Sequence, residues 1–259
     1  MFADKKIAIV VPAYNESKLI VAAVSKIPDF VDEIFVVDDA STDRTAQALA
    51  SAERPNVTCI RHEANMGVGA AIATGYKAAL ERSADIAVVM AGDAQMDPKD
   101  LPFVLEPILR GDAEYVKGDR LSWPGVAKAM PFSRFFGNHV LSVLTRVSSG
   151  YPSIRDSQCG YTAVTSEALM QMDLDSLYPR YGFPNDMLAK LHAIGARVVD
   201  VPVRPIYGEE VSGISLYTAI VRVPLVLFRS FFWRLRVERE AARRLPGRIE
   251  PAELNTIDG

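Results

Sequence analysis

The sequence predicts an α/β protein built on a mostly parallel sheet with helices on both faces. Two observations carry this. Short apolar runs rich in β-branched residues alternate with helix-like segments through the first half, giving the order β-α-β-α-β-α-β that a parallel sheet requires. Each run also stops at a polar residue. That leaves polar groups at the carboxyl edge of the sheet, where ligands of open α/β sheets bind.

Lys6 to Val11 is the first strand, ended by Pro12 and followed by Ala13, Tyr14, Asn15 and Glu16 and then a helix to Ile27. Ile34 to Val37 is the second, closed by Asp38 and Asp39, with Ser41 and Thr42 as the N-cap of a helix through Ala52. Val57 to Ile60 is the third; Asn65, Gly67 and Gly69 then lead into an Ala-rich helix ending near Arg82. Ile86 to Met90 is the fourth, too short for a helix, and it runs into Gly92, Asp93, Gln95, Asp97 and Pro98. A helix over Leu101 to Arg110 and a strand over Tyr115 to Gly118 follow. Leu121 to Pro131 reads as a long mobile loop. Phe132 to Val147 is helical, with Phe136, Val140, Leu141 and Leu144 on an apolar stripe. Gly150 to Gly160 is irregular, Asn185 to Ile194 is a helix, and Val198 to Val203 is the last strand. The expected organisation is one domain over residues 1–210, a basic amphipathic helical segment over 211–240 and a flexible tail over 241–259.

With 259 residues, 49% of them hydrophobic, the chain can bury one large core. A formal net charge of −3 gives no general reason to expect nucleic acid. Two cysteines, Cys59 and Cys159, make no disulfide framework, so a reducing, cytoplasmic setting is expected. The N-terminus runs straight into a strand, and no signal peptide is expected. No apolar stretch approaches the roughly 20 residues that span a bilayer. The C-terminal segment mixes Leu225, Val226, Leu227, Phe228, Phe231, Phe232 and Trp233 with Arg222, Arg229, Arg234 and Arg236. It reads either as a helix lying in an anionic membrane interface or as one packed back on the sheet domain with arginines at its rim. A cytoplasmic protein, or one peripheral on the cytoplasmic face of a membrane, is expected.

Asp93 and Gln95, two oxygen donors two residues apart, suit a hard divalent cation held largely by a substrate's phosphates. The competing reading is a strand-to-loop turn whose Asp and Pro start the next helix. The other strand ends, Tyr14 to Glu16, Asp38, Asp39 and Asn65, converge on the same crevice. Its acidic groups would repel a bare phosphate, so a nucleotide ligand needs a metal to mediate. Asp39 suits a hydrogen bond from a base or ribose, and Tyr14 offers a ring for stacking. The glycines at 67 and 69 do not complete a dinucleotide fingerprint, since Ile72 takes the third position; they read as a tight turn with close helix packing. His62, His139 and His192 show no zinc spacing.

Four blocks, VPAYNE (Val11 to Glu16), VVDDAS (Val36 to Ser41), NMGVGAAIATG (Asn65 to Gly75) and GDAQMDP (Gly92 to Pro98), resemble the signature of family 2 glycosyltransferases. The likeness is greatest to the dolichol-phosphate mannosyltransferase and polyprenyl-phosphate glycosyltransferase branch, and extends more weakly to about Ser212. The resemblance implies the GT-A fold. It implies a nucleotide-diphosphate sugar lined by Pro12, Tyr14, Glu16, Val37, Asp39, Gly92 and Asp93, with Asp93 and Gln95 holding Mg²⁺ or Mn²⁺. The family's metal motif is usually Asp-x-Asp, and here Ala91 stands at its first position. Diphosphate oxygens and water would then complete the shell.

The resemblance further implies Arg120, in the run from Lys117, as a phosphate contact, with Arg134 as a second, and Asp156 and Asp186 as catalytic carboxylates. Asp186 matches a carboxylate that many members use as general base; it also reads as an acidic residue favoured by a helix N-terminus. The lipid-phosphate branch often carries an Arg and a Lys after the last strand, and the segment from Tyr207 to Gly213 has neither. The implied reaction is inverting transfer of a hexose from a GDP- or UDP-linked donor to polyprenyl phosphate. A glycan hydroxyl with Asp186 as base, or a non-catalytic nucleotide-sugar-binding partner protein, are the alternatives. A sugar-nucleotide pyrophosphorylase is disfavoured, because no Gly-rich, Arg-containing loop follows the first strand.

Overall fold

A computed structural model describes residues 1–51, 54–93, 95–126, 130, 132–206 and 222–244. The strands are β1 (Ile7–Ala13), β2 (Glu33–Asp38), β3 (Val57–Arg61), β4 (Ile86–Val89), β5 (Tyr115–Asp119), β6 (Thr162–Thr165) and β7 (Val198–Pro202). They form one sheet in the order β3-β2-β1-β4-β6-β5-β7. All run parallel except β6, which is antiparallel to both its neighbours. The central strand β1 is buried at every position, which is why it reads as an unbroken apolar run. It continues through Pro12, whose carbonyl accepts from Gly92 N at 3.3 Å.

The helices are α1 (Ile20–Ser25), α2 (Thr45–Ala50), α3 (Val68–Glu81), α4 (Leu101–Leu109), α5 (Phe132–Ser149), α6 (Ser166–Met170), α7 (Phe183–Ala193) and α8 (Val223–Arg244). Alternate strand residues separate two cores. Ile7, Ile9, Val11, Ile34, Val36 and Val88 pack with Ile20 and Val24 of α1 and Leu101 and Leu105 of α4. Ala8, Val10, Phe35, Ala87 and Val89 face Ile72 and Tyr76 of α3 and Phe183, Met187 and Leu191 of α7.

Two helix starts and two whole elements depart from expectation. The second helix starts at Thr45, not after Ser41 and Thr42. The amide of Ser41 is taken by Asp38 Oδ1 (2.8 Å), and those of Thr42 and Asp43 by Asn15 Oδ1 (2.8 and 3.3 Å), which holds the turn open. Ala52 lies outside the described residues. The helix expected from Asn185 begins at Phe183, with Pro184 in its first turn, where a missing N–H costs nothing. β6 and α6 were not expected at all.

α5 is amphipathic in reverse. Its buried residues include Ser142, Thr145, Ser148 and Ser149. Thr145 Oγ1 donates to Asn185 Oδ1 at 2.7 Å, and Ser142 Oγ accepts from Ser157 N at 3.0 Å. The apolar stripe faces outward: Phe136, Val140, Val143, Leu144 and Val147 are exposed, Val147 to 62%. Only Leu141 of the expected stripe turns partly inward. α8 lies against α5 and α7. Its inner face buries Val223, Val226, Leu227 and Ser230, and its outer face exposes Leu225, Phe228 and Phe232 beside Arg222, Arg229, Arg236 and Arg239. Arg234 folds back and donates to the carbonyls of Ser148 and Val147, both at 3.1 Å, closing the last turn of α5. The helix therefore packs back on the domain and still presents an apolar, basic outer surface. No described helix is long and apolar enough to cross a membrane. The stretch from Tyr207 to Gly213, the start of the expected C-terminal helix and the tail beyond Arg244 lie outside the described residues, as does part of the expected loop before Phe132.

Candidate active site

In register, Ala13 of β1 lies beside Asp38 of β2, and Val10 beside Val89 of β4. The carboxyl ends of three neighbouring parallel strands therefore open side by side. The loop after β1 is tied to the loop after β2. Asn15 takes a left-handed backbone (φ 58°), which asparagine tolerates, and its amide donates to Ser41 Oγ at 3.0 Å. Glu16 N donates to Thr45 Oγ1 at 2.9 Å. Asp38 is wholly buried and takes Arg61 Nη1 at 3.0 Å. Val37 is buried in β2, in register with Pro12.

Asp39 organises the next wall. Its carboxylate accepts the amides of Met66 (2.8 Å) and Gly67 (2.7 Å) and pairs with His62 Nδ1 at 2.8 Å; His62 Nε2 meets Thr74 Oγ1 at 3.0 Å. The start of α3 is thereby fixed beneath residues 178–182. Ala70 N donates to Pro179 O at 3.0 Å. A Cβ on residue 69 would lie 2.2 Å from Tyr178 O, so only glycine lets the two segments meet so closely.

Asp93 Oδ1 accepts from Gln95 N at 3.0 Å, closing the turn after β4. Glu16 sits close enough to feel it: burial first, then the charges of Asp93 and Asp43, push the Glu16 carboxyl up to about 7. Burial, then the charges of Asp93 and Glu16, also raise the phenol of Tyr181. Tyr14 is exposed at the same strand ends. Glu16, Asp93 and Tyr181 thus lie within electrostatic reach of one another at the strand ends. No group of three His, Cys, Asp or Glu side chains among the described residues forms a ready-made metal cage. Two neighbouring carboxylates with Gln95 nearby nonetheless suit a hard cation whose remaining oxygens come from a diphosphate and water.

A second polar cluster lies under β5 to β7. Asp156 is wholly buried and holds Arg120 in a fork, Nε to Oδ2 at 2.7 Å and Nη2 to Oδ1 at 3.0 Å. Burial alone would raise its carboxyl, but the Arg120 charge and hydrogen bonds keep it below the usual range. Asp156 thus meets Arg120, not an open crevice. Lys117 is fully buried and donates to the Cys159 carbonyl; burial lowers its pKa. Asp200, in register with Lys117, is pushed by burial up to about 6. Asp186 is buried in the first turn of α7. Its Oδ2 accepts from Tyr178 N at 2.9 Å, and its Oδ1 from Ser230 Oγ at 3.4 Å. Arg134 lies in the first turn of α5, its side chain outside the described ones.

Four residues escaped the sequence reading. His62 directly follows β3 and meets Asp39 and Thr74, while Tyr181 comes from a loop distant in sequence from Glu16 and Asp93, where no local pattern marks it. Arg155 reaches Ser122 Oγ at 3.2 Å. Arg204 lies two residues beyond the end of β7, upstream of the segment from Tyr207 that lacks the expected Arg and Lys. Its guanidinium stands 5.8 Å from the centre of the Trp123 ring, and its amide donates to Asp100 Oδ2 at 2.8 Å.

Comparison with known proteins agrees with this geometry. Residues 8–158 match the model of glycosyl transferase family 2. The chain is 35% identical over 222 residues to a UDP-N-acetylglucosamine–dolichyl-phosphate N-acetylglucosaminyltransferase of Methanococcus voltae, covering 80% of this chain and 88% of that one. It is 31% identical over 227 residues to an undecaprenyl-phosphate mannosyltransferase of Micrococcus luteus, covering 84% and 92%. In three dimensions it resembles glucosyl-3-phosphoglycerate synthase of Mycobacterium tuberculosis, crystallised with Mn²⁺, UDP and glucosyl-3-phosphoglycerate. The TM-score is 0.65 at 21% identity, over 89% of this chain and 81% of that one, a likeness of fold.

Proposed function

The chain belongs to glycosyl transferase family 2, with the GT-A fold, and from that premise we propose that it moves a hexose from a GDP- or UDP-linked donor to polyprenyl phosphate at the cytoplasmic face of a membrane. The donor lies in the crevice at the ends of β1, β2 and β4. Tyr14 stacks on the base, Asp39 fixes the wall against which the nucleoside rests, and Pro12, Val37 and Gly92 form the floor. Asp93 and Gln95, beside Glu16, would hold Mg²⁺ or Mn²⁺, which would neutralise charge on the departing diphosphate. A phosphate oxygen of the acceptor bonds to the anomeric carbon as the bond to the nucleotide diphosphate breaks, with inversion. Arg120, oriented by Asp156, and Arg134 hold the acceptor phosphate.

One observation carries the lipid acceptor: the outward apolar face of α5 beside the basic, aromatic outer face of α8. Exposed Phe136, Val140, Val143, Leu144 and Val147 next to Leu225, Phe228 and Phe232 form a surface that water penalises and a bilayer interface accepts. The arginines of α8 complement anionic lipid, worth about 1 kcal/mol each near such a surface. The names of the two relatives, both lipid-phosphate sugar transferases, support the same reading. A phosphate acceptor is already an anion and needs no base, which suits Asp186 being engaged by Tyr178 and Ser230.

The test incubates the protein with a panel of UDP- and GDP-sugars and polyprenyl phosphate in vesicles, with and without Mn²⁺. Metal-dependent release of one nucleotide diphosphate with label entering the lipid is expected. Release only with a soluble hydroxyl acceptor would replace the lipid reading. Binding of donor without release under any metal would mean a binding protein.

A further inference from the structure

The inner face of α8 touches the wall of the crevice through a short run of residues, 178–182. Gly182 caps α7 with a left-handed backbone (φ 116°), and a Cβ there would meet the Val226 side chain at 3.1 Å. Val226 of α8 therefore rests directly on this turn. One helical turn further on, Ser230, 1% exposed, gives its hydroxyl to Asp186 Oδ1 (3.4 Å), and the other oxygen of that carboxylate takes the amide of Tyr178 (2.9 Å).

From Tyr178 the contacts continue inward. Pro179 O accepts Ala70 N at 3.0 Å. Arg180 donates to Asn65 Oδ1 and Asn65 O, both at 3.3 Å, and Asn65 Nδ2 reaches Asp39 O at 3.4 Å. Tyr181 stands where the charges of Asp93 and Glu16 are felt. A series of packed and hydrogen-bonded groups thus joins α8 to the Asp39 side of the crevice, and Tyr181, in the same run, lies within reach of the charges of Asp93 and Glu16.

We propose that Ser230, with Val226, is a positioning residue: it acts through Asp186 and Tyr178 to hold residues 178–182 against α3 and so sets the shape of the donor crevice. The inference rests on the reading above that this crevice takes the nucleotide sugar. A buried hydroxyl facing a buried carboxylate has few alternative partners, so removing it frees Asp186 Oδ1 and loosens the Tyr178 amide that shares the carboxylate. The effect is expected at residues 178–182 and the start of α3, because those segments carry these hydrogen bonds.

The experiment compares wild type, Ser230→Ala and Ser230→Thr by hydrogen–deuterium exchange and by donor kinetics on the full chain. In Ser230→Ala, amide exchange over Tyr178–Gly182 and Asn65–Ala70 is expected to quicken at least tenfold, with β1 and β4 unchanged. The donor KM rises at least fivefold, and Ser230→Thr restores both. A merely structural role would lower the folded, active fraction and hence kcat, leaving KM alone. Unchanged exchange over these two segments overturns the proposal, as does a donor KM within twofold of wild type. If wild type turns over no donor, the functional reading fails by itself; the exchange comparison still decides whether Ser230 positions this segment.

Discussion

Arg120 and Asp156 show how a residue's surroundings redirect its role. A carboxylate with no exposure that forks onto a guanidinium is a fixture, and losing one partner strands the other. Asp156→Asn is expected to cost about 3 kcal/mol of stability and to lower transfer with it, measured by denaturant unfolding beside initial rates. Asp200 gives a pH signature. Its carboxyl is raised from 3.8 to about 6 chiefly by burial. A raised acid contributes stability that is fully present below its unfolded value and is lost as pH climbs through the folded one. Between pH 4 and 7 the wild type should therefore lose about 2–3 kcal/mol that Asp200→Asn does not lose. Unfolding curves of both proteins across that range check it. Individual residues were unevenly legible in the sequence. Asp93 announced itself, since it ends a strand in a parallel sheet. Tyr181 did not, because what brings it near Asp93 is contact between segments far apart in the chain.

Among the elements, the first-half strands were readable because central parallel strands are buried on both faces and leave continuous apolar runs. β6 was not: it is four residues long, and its partners β4 and β5 lie far from it in sequence. The direction of α5 was equally hidden, since a helical period reveals a stripe but not which way the stripe faces. The reversed packing makes a sharp prediction. Thr145→Val leaves Asn185 Oδ1 without its partner and should cost about 1–3 kcal/mol. Val143→Ser with Val147→Ser, on the exposed side, should shift stability by only about 0.5 kcal/mol per site while weakening binding to anionic vesicles at least tenfold. Thermal unfolding and vesicle sedimentation separate the two effects.

At the scale of the whole molecule, the crevice proposed for the donor opens at the carboxyl edge of the sheet, and α5 and α8 supply an apolar and basic outer surface. If arginines and hydrocarbon both hold the protein to the bilayer, raising salt from 0.05 to 0.5 M should weaken its binding to anionic vesicles severalfold and barely alter the smaller affinity for neutral ones, as screening shortens the reach of surface charge. Flotation assays at the two ionic strengths check this. The reversal of α5 also bears on anyone who would engineer the chain. Scoring each position by how much hydrocarbon it shows to water would mark Phe136, Val140, Val143, Leu144 and Val147 as the first mistakes to repair, and the repaired chain would purify more easily. Under the proposed lipid-phosphate reading it would also have lost its means of reaching its substrate, so the variants best behaved in a test tube would be the poorest in a cell.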